Sequence, residues 1–270
     1  HLMQNDKINL SLIIPIGLML FSFFFGAGNL IFPPVLGQMA GENISWGMLG
    51  FCLSGVGFPL LGVLAMAMKQ SDNPDSIAMP MHPLYARAVT SLCALAIGPL
   101  FAIPRTAAVS FDTGIHSLLP ASCEALGLPV YTVFFFVLTY FFSINPSKII
   151  GHIGKFLSPM LLICLAVLVI CVFVNPTGSL KMPNPDFAAS PFFRGFQEGY
   201  NTMDLLAAIL FGSITIKAIE AQGITDKKIL TKLCSYAGLI AAFFLAIIYA
   251  ALAYTGALSI NVFGVIPNGA

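Results

Sequence analysis

The residues best suited to bind a small polar solute lie inside a long apolar segment. This segment contains two glycines and two prolines in the run Phe25-Gly26-Ala27-Gly28-Asn29-Leu30-Ile31-Phe32-Pro33-Pro34. An interrupted helix presents free backbone N–H groups and a partial positive charge, which suit a carboxylate. Freed backbone carbonyls and the side-chain oxygen of Asn29 suit a hard cation such as sodium. The run therefore predicts a helix break around residues 26–29 that can bind a zwitterion together with a cation.

A second glycine-containing stretch, Phe211-Gly212-Ser213, lies at a comparable depth in a later apolar segment. Glycine interruptions at corresponding positions of two halves of a chain indicate the binding site of a transporter. Close packing of helices through small residues is the alternative explanation, and it stays open for Gly212 and Ser213.

Three ionisable residues, Arg105, Asp112 and Asp204, are embedded in apolar sequence. At membrane depth a charged side chain costs about 2.5–3.5 kcal/mol on insertion scales, so each is a candidate functional residue. A charge pair of Arg105 with Asp112 or Asp204 that fixes helix packing is the simpler explanation, and a carboxylate-binding Arg105 is the functional one. Asp204 follows Asn201-Thr202, where an acid complements a helix N-terminus, so capping is expected there ahead of ion coupling.

Long charge-free runs place these residues in a membrane. Of the 270 residues, 58% are hydrophobic and only 9% are charged, whereas a soluble domain has about 25% charged residues. Since about 20 apolar residues cross a bilayer core, we predict an all-α integral membrane protein. Its seven transmembrane helices are predicted near 12–33, 46–68, 84–118, 128–146, 154–175, 200–221 and 232–257. The third is long enough to require a tilt or an extension beyond the membrane.

The distribution of lysine and arginine orients these helices. An inside N-terminus puts two of them, Lys181 and Arg194, on the outer side, and nine on the inner side: Lys7, Lys69, Arg87, Lys148, Lys155, Lys217, Lys227, Lys228 and Lys232. The positive-inside rule therefore predicts a cytoplasmic N-terminus and places residues 258–270 outside. The first apolar stretch is longer than the core of a signal peptide, so we expect it to be retained as a helix.

Other classes of protein fit the sequence less well. Twelve Lys+Arg against eleven Asp+Glu give no basic field for nucleic acid. Six scattered cysteines without C-x-x-C spacing argue against a disulfide framework or a zinc site. An intramembrane enzyme is not expected, because the four histidines form no H-E-x-x-H motif. A seven-helix receptor-like protein is the weaker alternative, since the N-terminus is predicted to lie inside.

Four segments in order resemble the bacterial branched-chain amino acid:cation symporters, the BrnQ family. They are FFFGAGNLIFPPVLGQMAG (23–41), AIGPLFAIPRTAAVSFDTG (96–114), INPSKIIGHIGKFLSPMLL (144–162) and GYNTMDLLAAILFG (199–212). The resemblance implies import of leucine, isoleucine and valine across the bacterial inner membrane by alternating access, with Na⁺ as the coupling ion and no other cofactor. A secondary transporter of the same fold for another small solute is the alternative.

The same resemblance implies a leucine-transporter-like fold, in which helices one to five and six to ten form inverted repeats. Residues 1–175 would form the first repeat and residues 199–270 the start of the second. The fold would then be incomplete within these 270 residues, which would form a single membrane domain fragment.

The resemblance also assigns roles to individual residues. Backbone N–H groups of Gly26, Ala27 and Gly28 would hold the substrate carboxylate, and Asn29 would be a sodium ligand. Carbonyls of Ser22 and Phe25 would face a second sodium position. An apolar pocket would be lined by Phe32, Phe211, Gly212 and Ser213. The predicted seventh helix, 232–257, contains no Asn or Asp that could serve as a further sodium ligand.

Overall fold

The structure is a computed structural model that describes residues 10–120, 124–144, 157–174 and 178–263. The described residues form helices and their connections, without a β-strand, which confirms the all-α prediction. The α-helices are α1 Leu10–Phe24, α2 Ala27–Ala40, α3 Ile44–Cys52, α4 Phe58–Lys69, α5 Pro83–Leu95, α6 Ala102–Gly114, α7 Glu124–Ser143, α8 Ser158–Val174, α9 Pro185–Ala189, α10 Pro191–Tyr200, α11 Asp204–Glu220 and α12 Lys227–Phe263.

The helix α12 is the central element of the core. It packs against α1, α2 and α4. Its fully buried side chains recur at every third or fourth position, so one face of the helix is covered by its neighbours. These residues include Leu233, Ala237, Ala241, Leu245, Tyr249 and Leu252.

Small residues allow α1 and α2 to pack closely against α12. Gly17 of α1 lies against Ile240, and Gly37 of α2 lies against the backbone of Ala253, where a Cβ would collide with the Ala253 carbonyl. Phe21 of α1 meets Phe244, and Asn29 of α2 meets Tyr249. The contacts therefore advance in the same direction along both helices of each pair, so α1 and α2 run parallel to α12. Close approach through glycine is the usual way that helices pack in lipid.

The helices α3 and α4 pack against α10 and α11 in the same manner. Gly195 of α10 lies on the backbone of Gly47, and Gly62 of α4 faces Ala208 of α11. These contacts also advance together, so the pair α3–α4 runs parallel to the pair α10–α11. The hydroxyl of Thr231 on α12 donates to the Ala67 carbonyl on α4 at 3.0 Å.

Three helical stretches within the described ranges are long and apolar enough to cross a membrane by length and composition. They are Ala27–Lys69, Pro83–Gly114 and Lys227–Ser259, and α10 with α11 gives a fourth if this pair, bent by 44°, is one span. Shorter apolar helices cover Leu12–Phe24, Leu126–Phe141 and Ser158–Val174. Helix therefore occurs in every predicted segment, while the seven-span arrangement and the inverted repeats stay predictions.

Parts of those predictions lie outside the described residues. They are positions 145–146, 154–156 and 175 of two predicted helices, the lysines Lys7, Lys148 and Lys155, and residues 264–270.

The predicted third helix is bent rather than straight. A π-helical turn, Ala96–Leu100, joins α5 to α6, and Gly98 within it has non-helical angles of φ −80° and ψ −117°. Pro99 explains the bend, because the residue before a proline is forced out of the α-helical region. The length of this segment is thus accommodated at least in part by a kink, which the prediction of a tilt or an extension did not include.

Candidate functional site

The first helix break lies at Phe25 and Gly26. The helix α1 ends at Phe24, Gly26 is extended at φ −110° and ψ −169°, and α2 begins at Ala27. The Gly26 N–H donates to Oδ1 of Asn29 at 3.0 Å. The prediction of a break in this run is confirmed, but its position is corrected. Ala27, Gly28 and Asn29 are helical, because the Asn29 side chain closes the first turn of α2 against Gly26.

The second break lies at residues 201–203, between α10 and α11. Met203 adopts a left-handed conformation at φ 66° immediately before α11. A break at Phe211-Gly212-Ser213, one of the two explanations that the sequence left open, does not occur, since these residues lie inside the continuous helix α11. Gly212 instead lies against Val63 and Met66 of α4, so the close-packing explanation is the correct one there.

A cluster of three buried polar side chains joins both breaks to α12. Nδ2 of Asn29 donates to Oδ2 of Asp204 at 2.6 Å and also contacts the Tyr249 hydroxyl. The Tyr249 hydroxyl donates to the same Asp204 oxygen at 3.1 Å. Asn29 is 2% exposed, Asp204 4% and Tyr249 0%. We call this set the Asn29–Asp204–Tyr249 cluster.

The hydrogen bonds to the buried Asp204 carboxylate come from uncharged side chains. Asp204 is the first residue of α11, as expected of an acid at a helix N-terminus, but its carboxylate accepts hydrogen bonds from side chains of two other helices. Both donors are neutral groups. A buried carboxylate needs a compensating positive charge or a proton, because low dielectric penalises an uncompensated ion by several kcal/mol. Arg105 faces the same cavity and supplies one such positive charge; a bound monovalent cation or a proton is another way to supply it.

A cavity of about 80 Å³ lies beside this cluster. It is bounded by the first turn of α2 from Gly26 to Asn29, by Arg105 on α6, by the break at Thr202 to Asp204, and by the apolar side chains of Phe23 and Phe211. A water molecule needs roughly 10–15 Å³ by this measure. The cavity thus has room for the polar end of an amino acid, with aromatic rings on one side.

The structure brings seven of the predicted site residues to this cavity: Gly26, Ala27, Gly28, Asn29, Arg105, Asp204 and Phe211. The others lie elsewhere. The Ser22 hydroxyl donates to Ser158 at 2.6 Å, and the ring of Phe25 stacks on Phe21 and Tyr249. The ring of Phe32 lies beneath the Arg105 guanidinium.

Two further predicted residues lie away from the cavity. The Ser213 hydroxyl bonds the Leu210 carbonyl of its own helix at 2.8 Å. Asp112 is exposed on α6, so the pairing of Arg105 with Asp112 is wrong. Seven residues separate them along one helix, and only Arg105 lies at the level of the breaks. Of the predicted charged residues, Arg105 and Asp204 share the cavity.

Sequence analysis missed Tyr249 and Thr202. The Thr202 hydroxyl accepts from the Asp204 N–H at 3.5 Å and donates to the Gly199 carbonyl at 2.8 Å. Tyr249 carried a usable signal, because a phenol in the middle of an apolar helix needs a hydrogen-bond partner when it is buried. Its partner could not be read from the sequence, since Asn29 lies 220 positions away.

A larger groove of about 380 Å³ lies between α6 and α7, lined by Phe111, Leu126, Tyr131 and Phe134 among others. The Tyr131 hydroxyl is hydrogen-bonded to Ser110 at 3.0 Å. The groove is otherwise apolar, so it suits lipid chains or neighbouring helices better than a zwitterion. The candidate site is therefore the smaller cavity at the breaks.

Long apolar helices that are interrupted around a buried polar cluster indicate a multi-pass membrane protein. Residues 9–270 match the family described as branched-chain amino acid transport protein. The chain belongs to this family, which confirms the resemblance stated above.

Three curated relatives illustrate the similarity. The branched-chain amino acid permease BrnQ of Bacillus subtilis is 45% identical over 99% of this chain and 61% of its own length. The branched-chain amino acid transport system 3 carrier protein of Pseudomonas aeruginosa is 38% identical over 96% of this chain and 58% of its own length. BrnQ of Escherichia coli K12 gives the same values. The chain thus spans about three fifths of the length of these relatives. No solved structure matches it.

Proposed function

We propose that the protein imports leucine, isoleucine and valine together with Na⁺ by alternating access. The observation that carries this proposal is the meeting of two helix breaks at one cavity, beside the buried Asn29–Asp204–Tyr249 cluster. The permease names of the relatives support the branched-chain substrates. The protein would lie in a bacterial inner membrane with its N-terminus in the cytoplasm, as its lysine and arginine distribution favours.

Asp204 would supply the negative charge of the cation site. Its carboxylate lies at the start of α11, where Thr202 adds a hydroxyl oxygen at the same break. Oxygen ligands of this kind suit Na⁺. Asn29 donates from its Nδ2 to Asp204 and would position this carboxylate, while only its Oδ1, which also accepts from the Gly26 N–H, could ligate the ion. Each Na⁺ moving inward gains about 2.3 kcal/mol per 100 mV and about 1.4 kcal/mol for a tenfold gradient. One ion could sustain roughly a several-hundred-fold accumulation of substrate.

The aromatic side of the cavity would receive the substrate's side chain. The ring centroid of Phe211 lies 5.5 Å from that of Phe23 and 5.4 Å from that of Phe24. These rings provide no hydrogen-bonding group for a polar side chain. A missing methylene in such a pocket costs only about 1–3 kcal/mol, whereas burying an unpaired charge costs far more.

Competition uptake in cells that express the full-length protein tests this proposal. Isoleucine and valine are expected to displace radiolabelled leucine with affinities within about a factor of ten of one another. Lysine and aspartate are expected not to compete. Displacement of leucine by lysine, aspartate or a nucleobase as effectively as by isoleucine would favour a carrier for another solute.

A pair of variants localises the site. Phe211→Ala is expected to weaken leucine competition about tenfold or more, because it removes apolar contact at the cavity. Phe134→Ala is the matched control, since Phe134 is 60% exposed in the groove between α6 and α7. Equal losses in both variants would move the substrate away from the helix breaks.

A further inference from the structure

We infer that Arg105 binds the α-carboxylate of the substrate, with its guanidinium and the first turn of α2 on two sides of the same anion. This inference rests on the proposed function, since it names the group that the cavity recognises. It adds a charged side chain to a carboxylate site that the resemblance assigns to the backbone of residues 26–28 alone.

The position of Arg105 against α2 is the first observation. A Cβ built on Gly28 would lie 2.8 Å from Nη2 of Arg105 and 3.2 Å from its Cζ. The absence of a side chain at Gly28 therefore allows the guanidinium to reach the N-terminal turn of α2. The first N–H groups of a helix have no partner within the helix and carry a partial positive charge. Two positive groups thus converge on one side of the cavity.

The second observation is that the guanidinium of Arg105 has a hydrogen-bond donor without a partner among the described residues. Its Nε is buried and has no hydrogen-bond partner among the described residues. The ion pairs of Arg194 with Asp186 and of Lys217 with Asp72 do not include Arg105. Asp204 faces the same cavity and attracts Arg105 electrostatically, but its Oδ2 already accepts hydrogen bonds from Asn29 and Tyr249.

The third observation is that the guanidinium is held in place. Its Cζ lies 5.5 Å from the ring centroid of Phe32, at a distance typical of a cation–π contact. A guanidinium fixed in one plane matches a carboxylate through two parallel hydrogen bonds. These properties select a small carboxylate ligand, and the cavity admits the polar end of an amino acid beside Phe23 and Phe211.

The test compares ligands with and without the carboxylate. Binding of leucine and of leucinamide, which carries a neutral amide in its place, is measured on purified full-length protein and on Arg105→Gln. Loss of a hydrogen bond to a charged group corresponds to about 10- to 100-fold in affinity. We expect a loss of this size for leucine and less than about threefold for leucinamide. Arg87→Gln, an exposed arginine on α5, is the control and should change neither.

Equal losses for both ligands would overturn the inference and assign Arg105 to helix packing or to balancing Asp204. If leucinamide does not bind the wild-type protein measurably, the test rests on the leucine affinity of Arg105→Gln. A loss of leucine affinity below about tenfold then overturns the inference. Arg105→Lys, which keeps the charge without the planar fork, should recover part of the leucine affinity. Failure of wild-type protein to bind leucine would instead contradict the proposed function.

Discussion

Asp204→Asn is expected to raise the sodium concentration needed for half-maximal leucine binding by about 30-fold or more. The substitution keeps the size of the side chain and removes its charge from a site that is 4% exposed. In the proposed site the charge pair is the Asp204 carboxylate with Na⁺. Removing one member of a buried charge pair costs about 2–5 kcal/mol, and each 1.4 kcal/mol of binding free energy is a factor of ten in affinity. Leucine binding titrated with Na⁺ on purified full-length protein gives the shift directly.

Asp112→Asn is the matched control for this experiment. Asp112 lies on α6 and was predicted as a partner of Arg105, but it is exposed and lies away from the cavity. We expect its sodium titration to match that of the wild type. A normal titration for Asp204→Asn would remove the carboxylate from the cation site. A titration that responds to pH instead of Na⁺ in the wild type would indicate that Asp204 takes up a proton.

Asn29→Ala is expected to have the second-largest effect, because it removes two interactions together. Its Oδ1 holds the Gly26 N–H at the first break, and its Nδ2 holds Asp204 at the second. Leaving buried polar groups unpaired costs about 1–3 kcal/mol for each group. We expect sodium and leucine affinities to fall together by at least about tenfold.

Tyr249→Phe provides a graded comparison with Asn29→Ala. It removes one donor to Asp204 at 3.1 Å and leaves the contact between Asn29 and Asp204 intact. Its effect on sodium affinity should therefore be smaller than that of Asn29→Ala. Thermal unfolding of both variants separates loss of binding from loss of folding. Unchanged sodium affinity in correctly inserted Asn29→Ala protein would show that the two breaks are not coupled through this side chain.

The first break was predictable because its causes are local. Glycine weakens an apolar helix wherever it packs, and Gly26 lies at the break itself. Gly28, Pro33 and Pro34 indicated the correct segment, but they lie inside the continuous helix α2, so the predicted position needed correction. The bend near Gly98 has an equally local cause in Pro99. Apolar runs without charge also predicted an all-α membrane protein, since a bilayer requires stretches of this length.

The second break and the cluster depend on contacts between distant residues. Gly212 could equally serve a break or a close contact, and only the position of Met66 on α4 decides for the contact. Tyr249 lies 45 positions from Asp204 and reaches it because α12 packs beside both breaks. A search of residues 232–257 for Asn or Asp could not find this cluster, because the polar group that α12 contributes is the phenol of Tyr249.

The most direct test of the central claim is the affinity of leucine for the wild-type full-length protein in sodium and in choline buffers of equal ionic strength. If the cation and the amino acid share the site at the helix breaks, each strengthens binding of the other by the same factor. Coupling free energies of about 1–3 kcal/mol correspond to roughly 5- to 150-fold. We predict that leucine binds tighter in sodium by a factor in this range. Equal dissociation constants in the two buffers would contradict the account.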